Sequence, residues 1–273
     1  MEISQFQLLS VMLGAFIGVI MALTGAGGSI LAVPLLMFSL HLGLLQAAPI
    51  GLLAVMLAAG LAAFMGLRAG IVRYKAASLL AGSGLLIAPL GVWLAHQVSN
   101  KLLSAAFAIV LIYVAIHMFI KARHAIMHET AECVSANQPC QVDKQVGRIS
   151  WNAPCARAMT LSGAIAGFFS GLLGVGGGFV IVPALHKFTD LDMRSIVATS
   201  LTAITLVSAL SVLIYAAKGA IVWHLALPFV MGAIAGMLIG RLLANRLRGP
   251  HMQQVFALLA FTIAVILLLK NYI

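Results

Sequence analysis

"GLLGVGGGFVIVPAL", residues 171–185, puts a cluster of glycines at the head of an apolar segment that holds a proline. Residues 22–36, "ALTGAGGSILAVPLL", repeat the pattern almost word for word. Glycine in a helix interior costs about 1 kcal/mol relative to alanine. Its placement in two strongly hydrophobic regions therefore needs a reason. Residues 6–40 cannot form one straight helix, because at 1.5 Å per residue they would extend about 52 Å across a hydrocarbon core of about 30 Å. The break falls at "TGAGG", and a matching one falls at "GVGGG".

The rest of the chain sets the medium. Of its 273 residues, 63% are hydrophobic and only 8% charged, with a mean hydropathy of +1.12. Soluble domains carry roughly 25% charged residues. The composition predicts an all-α polytopic membrane protein of roughly eight to ten transmembrane segments of about 20 residues. The apolar segments run 6–23, 26–40, 48–67, 74–95 and 102–120, then 158–173, 178–188, 195–217, 221–245 and 252–270. The N-terminal "MEISQFQLLS" has no basic stretch of the kind that opens a cleaved signal. The net charge of +10 comes from 16 Lys and Arg, mostly in short segments between apolar runs. That is the pattern of the positive-inside rule, so no nucleic-acid partner is expected, only membrane lipid and a substrate. Cys133, Cys140 and Cys155 are odd in number and lack metal-ligand spacing, which argues against a disulfide framework or a zinc site.

The two halves align. Pro34 and Pro183 stand 149 residues apart (183 − 34), and at that offset Gly25 meets Gly174, Gly27 meets Gly176 and Gly28 meets Gly177. Gly14 meets Gly163, Gly18 meets Gly167, Ala54 meets Ala203, and Gly91 meets Gly240 without a gap. The chain reads as an internal duplication: repeat one over 1–120, a polar linker over 121–157, and repeat two over 158–273. Basic residues concentrate in the segment with Arg68, Arg73 and Lys75, in the linker, and in the segment with Arg241, Arg246 and Arg248. Equivalent loops of the two repeats carry opposite charge character. The repeats are expected to be inverted, with both termini outside and the linker in the cytoplasm.

The glycine motifs then acquire a role. Broken backbone at membrane depth is tolerated only where it is buried in protein or lines a wet cavity. A helix restarting at Ser29 or Phe179 points its free N–H groups and positive dipole end at that cavity, which favours anions. Two such ends converging near the midplane are the recurring plan of secondary transporters. Gly14, Gly18, Gly163 and Gly167 are read as helix-packing positions. "GAGGSILAVPLL" and "GLLGVGGGFVIVPAL", each after an apolar helix in a duplicated chain, resemble the sulfite exporter TauE/SafE family of permeases. The resemblance covers nearly the whole chain apart from the linker, with Ser29 standing where the second motif has Gly178. It implies a transporter of small sulfur-containing or organic anions.

The expected substrate-binding residues are Thr24, Gly25, Gly27, Gly28 and Ser29 of the first motif, and Gly174, Gly176, Gly177 and Gly178 of the second. Thr199, Ser200, Thr202 and Thr205 join them, since the three threonines share roughly one helix face. All six acidic residues fall outside the spans, which argues against a carboxylate proton relay. His117 and His224 are read as interfacial. Arg68, Arg73, Lys75 and Arg194 can concentrate anions at the inner mouth or simply set topology. His124, His128 and Cys133 make only a weak metal pattern, and no metal or cofactor is expected. An intramembrane enzyme needs a Ser/His pair, two aspartates or a zinc site. Ser170 is the only odd nucleophile, so no enzyme is predicted. The sequence does not separate an exporting carrier from an anion channel or from an importer of a small organic anion. It sets no oligomeric state, and a homodimer is one arrangement it permits.

Overall fold

In lipid every backbone N–H and C=O must be satisfied internally, and a helix does this within one segment. The computed structural model describes residues 2–40, 42–127, 140, 142–143, 148–149, 152–244 and 249–272. Among these residues the first half forms α1 (Glu2–Thr24), a 3-10 segment (Gly25–Leu31), α2 (Ala32–Ser39), α3 (Leu44–Arg68), α4 (Tyr74–Gln97) and α5 (Asn100–Met127). The second half forms α6 (Ala153–Leu173), α7 (Gly178–Phe188), α8 (Met193–Ala217), α9 (Trp223–Ala244) and α10 (Gly249–Tyr272). Between them lies a short antiparallel ladder, β1 (Val142–Asp143) with β2 (Arg148–Ile149). Seven stretches are long and apolar enough to cross a membrane, one in each of α1, α3, α4, α5, α6, α8 and α9. Apart from that short ladder the described elements are helical, as expected of a multi-pass membrane protein. Helices α5 and α6 reach into both ends of the stretch read as linker.

Helices α3 and α8 pack on each other at the centre and are the most buried of the spans. Around them α1 lies along α9, α4 along α6, and α5 along α10, while α3 also touches α9 and α8 touches α4. This set of contacts maps onto itself when α1–α5 are exchanged for α6–α10. Small residues let the outer pairs approach backbone to backbone. Gly14 and Gly18 of α1 face the carbonyls of Phe229 and Ala233, and Gly163, Gly167 and Gly171 of α6 face the backbone of Leu80, Gly84 and Ala88. Leu86, Trp93, Leu161, Leu213 and Leu242 point outward, leaving an apolar surface suited to lipid.

Arg73 and Arg241 sit at one end, and Lys101 and Lys218 at the other. The Arg73 N–H in the α3–α4 turn donates to Thr199 Oγ1 near the start of α8 (3.0 Å), and an Arg241 guanidinium N–H at the end of α9 donates to the Ala62 carbonyl (3.4 Å). Asp192 caps α8 at the same end by accepting from the Ser195 N–H.

The cysteine expectation is overturned. Cys140 and Cys155 form a disulfide, with Cα atoms 5.0 Å apart. The Cys140 N–H donates to the Phe188 carbonyl (3.1 Å), and Cys140 bridges Thr189 at the C-terminal end of α7. This tertiary contact carries Cys140 over the first turn of α6, where Cys155 sits. His128 and Cys133 lie outside the described residues, as do Arg246 and Arg248. His124 is on α5 with its side chain outside the description.

Candidate functional site

The second glycine motif breaks the chain by going left-handed. Gly174 closes α6 at φ +73°, Gly176 follows at +76°, and Gly177 precedes α7 at +71°. Side chains rarely adopt this conformation, and there is no room for one. A Cβ on Gly174 would collide with Ala48, and one on Gly177 with the Ala166 carbonyl. A Cβ on Gly176 would lie 2.9 Å from Val55 Cγ1 and 3.1 Å from Ser208 Oγ. Val55 and Ile204, which both crowd Gly176, are at the middles of α3 and α8. The break therefore reaches mid-span. Among the described residues, the amides of Gly176, Gly177 and Gly178 have no backbone partner, while the Val180 and Ile181 N–H groups donate to the Gly177 carbonyl. Helix α7 thus presents a free N-terminal end.

The first motif behaves differently. Gly25, Gly27, Gly28 and Ser29 wind into the tight 3-10 segment, so the α-helix restarts at Ala32 rather than Ser29. The Ala32 N–H is used by the Ser29 carbonyl. Gly28 is held against the Met21 backbone, and Ser29 is fully buried. The Thr24 hydroxyl donates to the Ile20 carbonyl (2.8 Å). Of the two helix ends expected to converge, only that of α7 has open amides.

The two breaks nevertheless meet. The 3-10 segment packs on α7 and α8. Gly51 of α3 is wedged between them: a Cβ there would be 3.2 Å from Val33 and 3.6 Å from the Gly174 carbonyl. Thr24 from the first break and Gly178 from the second both line a cavity of about 520 Å³ bounded by α5, α6, α7 and α8. Tyr113 and His117 of α5 line it too, their rings stacked 7° from parallel. His117, expected at the interface, is therefore a wall of the cavity.

The hydroxyl face is less engaged than its spacing suggested. Ser200, Thr202 and Thr205 donate to the carbonyls of Val197, Ala198 and Leu201 on their own helix. Thr199 accepts from Arg73 at the end shared with Arg241, away from the glycines. Ser208 on the same helix is the exception. It is fully buried, its hydroxyl has no partner among the described residues, and it is the one beside Gly176. An unpaired buried hydroxyl costs about 1–3 kcal/mol, so it marks a place where a ligand acceptor is useful. Ser170, one turn before the break, is likewise buried and unpartnered. Among the described residues no base is hydrogen-bonded to it, as a nucleophile requires. Sequence reading grouped Ser208 with the other hydroxyls. The signal that singles it out, a missing bond to its own helix, exists only in three dimensions.

The family model described as "Sulfite exporter TauE/SafE" matches residues 10–267. A protein of Xylella fastidiosa (strain 9a5c) named "Probable membrane transporter protein" is 30% identical over 266 residues, covering 95% of this chain and 94% of its own. A protein of the same name from strain Temecula1 is 30% identical over 268 residues, covering 95% and 94%. "Probable membrane transporter protein YunE" of Bacillus subtilis is 26% identical over 254 residues, covering 87% and 88%. No solved structure matches the chain.

Proposed function

Because the chain belongs to the sulfite exporter TauE/SafE family of membrane transporters, we propose that it exports a small anion across the cytoplasmic membrane by alternating access. The anion is sulfite-like or an organosulfonate, held where the two breaks meet. The observation that carries this reading is the unpartnered, buried Ser208 hydroxyl next to Gly176, at mid-span of α3 and α8, in a tract whose Gly176, Gly177 and Gly178 amides have no backbone partner among the described residues. Amide and hydroxyl donors in a water-poor site suit an oxyanion. Gly174, Gly176, Gly177 and Gly178 shape the α7 side of the site. Thr24, Gly25, Gly27, Gly28 and Ser29 shape the other side, and Thr199 works with Arg73 at the mouth. Thr202 and Thr205 support the helix. The self-mapping helix contacts support two inverted repeats. The transport unit is the single chain, since both breaks meet within it.

Energetics set direction. A potential of 100 mV, negative inside, is worth about 2.3 kcal/mol per charge. An anion leaving the cell moves down that field, and export then needs no proton-coupling carboxylate. In proteoliposomes, efflux of a monovalent sulfonate should rise when an inside-negative potential is imposed and vanish with Gly177→Leu. Efflux indifferent to the potential would contradict the reading. Saturable counterflow is the expected mark of a carrier, and its absence would indicate a channel.

A further inference from the structure

Helices α5 and α10 pair outside the central helices, and a groove of about 240 Å³ runs between them. Ala115 of α5 and Ala257 of α10 are buried and form its floor. Ile116 and Phe119 stand along one rim, Leu258 and Phe261 along the other, and all four are exposed. Every residue lining the groove is apolar. Alanine at the floor leaves volume that neither helix fills, and walls without partner atoms forfeit their dispersion contacts. The groove also ends in charge. The span of α5 closes at Ile120, and Arg123 follows three residues later (123 − 120) in the same helix. At 1.5 Å per residue that is about 4.5 Å farther along the axis. Headgroups occupy about 5–7 Å beyond the hydrocarbon core on each side, so Arg123 stands at their depth. It is exposed, and it lies seven residues past Ile116 (123 − 116) and four past Phe119 (123 − 119), on the stripe of α5 that forms the rim. The groove takes the C-terminal half of α5 and the part of α10 nearer its start, so it opens toward the end that holds Arg73 and Arg241.

We infer that this groove holds an acyl chain of an anionic glycerophospholipid, with the lipid phosphate at Arg123. A flexible chain fits a narrow apolar slot that a rigid side chain would have to match. Guanidinium and phosphate pair through charge-assisted hydrogen bonds, and basic positions beside grooves between membrane helices are where anionic headgroups dock. A zwitterionic lipid brings the same chain without the net charge, so Arg123 supplies the selectivity. A second copy of the chain suits this face less well. Copies in one membrane share one orientation. A two-fold contact over the α5–α10 face therefore sets both Arg123 residues at the same depth, like charge toward like charge. The lipid site is separate from the cavity between the glycine breaks and does not depend on which solute is transported.

Native mass spectrometry of the full chain, delipidated in detergent and titrated with palmitoyl-oleoyl phosphatidylglycerol or phosphatidylcholine, tests the inference. The first bound phosphatidylglycerol should be about fivefold tighter than the first phosphatidylcholine, the effect of one basic contact at the membrane surface. Arg123→Gln should bring that ratio toward one. Lys218→Gln, which removes an exposed cation at the opposite end, should leave it unchanged. Ala115→Leu fills the floor and should weaken both lipids together; if it does not fold, Ala115→Val makes the same test with a smaller side chain. Equal affinity for the two lipids overturns the inference, as does a ratio that survives Arg123→Gln. An equal fall in the ratio for Arg123→Gln and Lys218→Gln overturns it in favour of diffuse attraction by net charge. Unchanged affinities in the floor variant overturn the placement of the chain in the groove. A two-copy species that excludes lipid overturns it in favour of a self-interface.

Discussion

The two glycine breaks are written in nearly the same residues and folded in different ways. At the second, three glycines turn left-handed, and α7 begins with unbonded amides. At the first, the chain stays in a tight 3-10 course through Gly25–Leu31, and α2 begins with its first amide already used by Ser29. Glycine clusters permit a break, but the neighbours choose its shape. Ala48, Val55 and Ala166 leave the second tract no space except a path without side chains. The first tract folds back on Met21 of its own helix. Two similar motifs have thus yielded one helix start with open amides among the described residues, and the two breaks differ at the level of the main chain.

The largest effect should come from testing that asymmetry directly. Gly177→Ala places a side chain at φ +71° and drives it into the Ala166 carbonyl. A non-glycine residue held in that region costs about 1–3 kcal/mol before any collision is counted. Gly28→Ala meets the Met21 backbone, at 2.7 Å from its amide nitrogen, but is not in the left-handed region. Efflux from proteoliposomes should fall more than 100-fold for Gly177→Ala and clearly less for Gly28→Ala, with the thermal midpoints in the same order. Greater damage from Gly28→Ala would break the comparison.

Much of this was open to reading along the chain. Long apolar runs, glycine clusters too deep for a continuous helix and a fixed offset of 149 residues place the helices and both breaks, because span length and backbone satisfaction are local constraints. The shape of each break was not legible, since the two tracts are nearly alike in sequence and the neighbours that pack on them come from distant parts of the chain. Helical spacing drew attention to Thr199, Thr202 and Thr205. Hydroxyls in apolar helices commonly bond their own preceding turn, and here Thr202 and Thr205 do so. Spacing cannot reveal the residue that does not. His117 was read as interfacial because it lies near the end of an apolar run, and the packing of α5 adds that it lines the cavity. The Cys140–Cys155 bond depended on a contact with Thr189 that no count of cysteines supplies.

The next comparison is between hydroxyls on one helix. Ser208→Ala removes the only described donor side chain at the second break that is both buried and free on α8, and Thr205→Val removes one already satisfied by Leu201. A hydrogen bond to a charged ligand is worth about 1.5–3 kcal/mol, or roughly 10–100-fold in binding. KM for the transported anion should rise by about that factor in Ser208→Ala and by less than twofold in Thr205→Val. The thermal midpoint of ligand-free Ser208→Ala should hold or rise, because an unpaired buried hydroxyl is gone. A drop in stability with unchanged KM would make Ser208 a packing residue and leave the amide end of α7 without its partner.

The smallest effect on transport should come from the brace at the second break. Cys140 ties the end of α7, through Phe188 and Thr189, to the first turn of α6 by its bond to Cys155. At the corresponding end of α2, the Leu40 N–H simply closes onto the Leu36 carbonyl, with no covalent tie among the described residues. The closed loop spans a separation of 15 residues, for which chain entropy gives about 3 kcal/mol of stabilisation. Cys140→Ser should therefore lower the thermal midpoint of the purified protein by about 5–10 °C. Dithiothreitol should lower the parent to the same value and leave the variant unmoved. Transport should stay within twofold, because the brace is at the end that holds Arg73 and Arg241 while the free amides are at mid-span. If reduction instead changes KM, the α6–α7 hairpin transmits its far end to Gly176–Gly178. The asymmetry between the breaks would then extend from their backbone to their control.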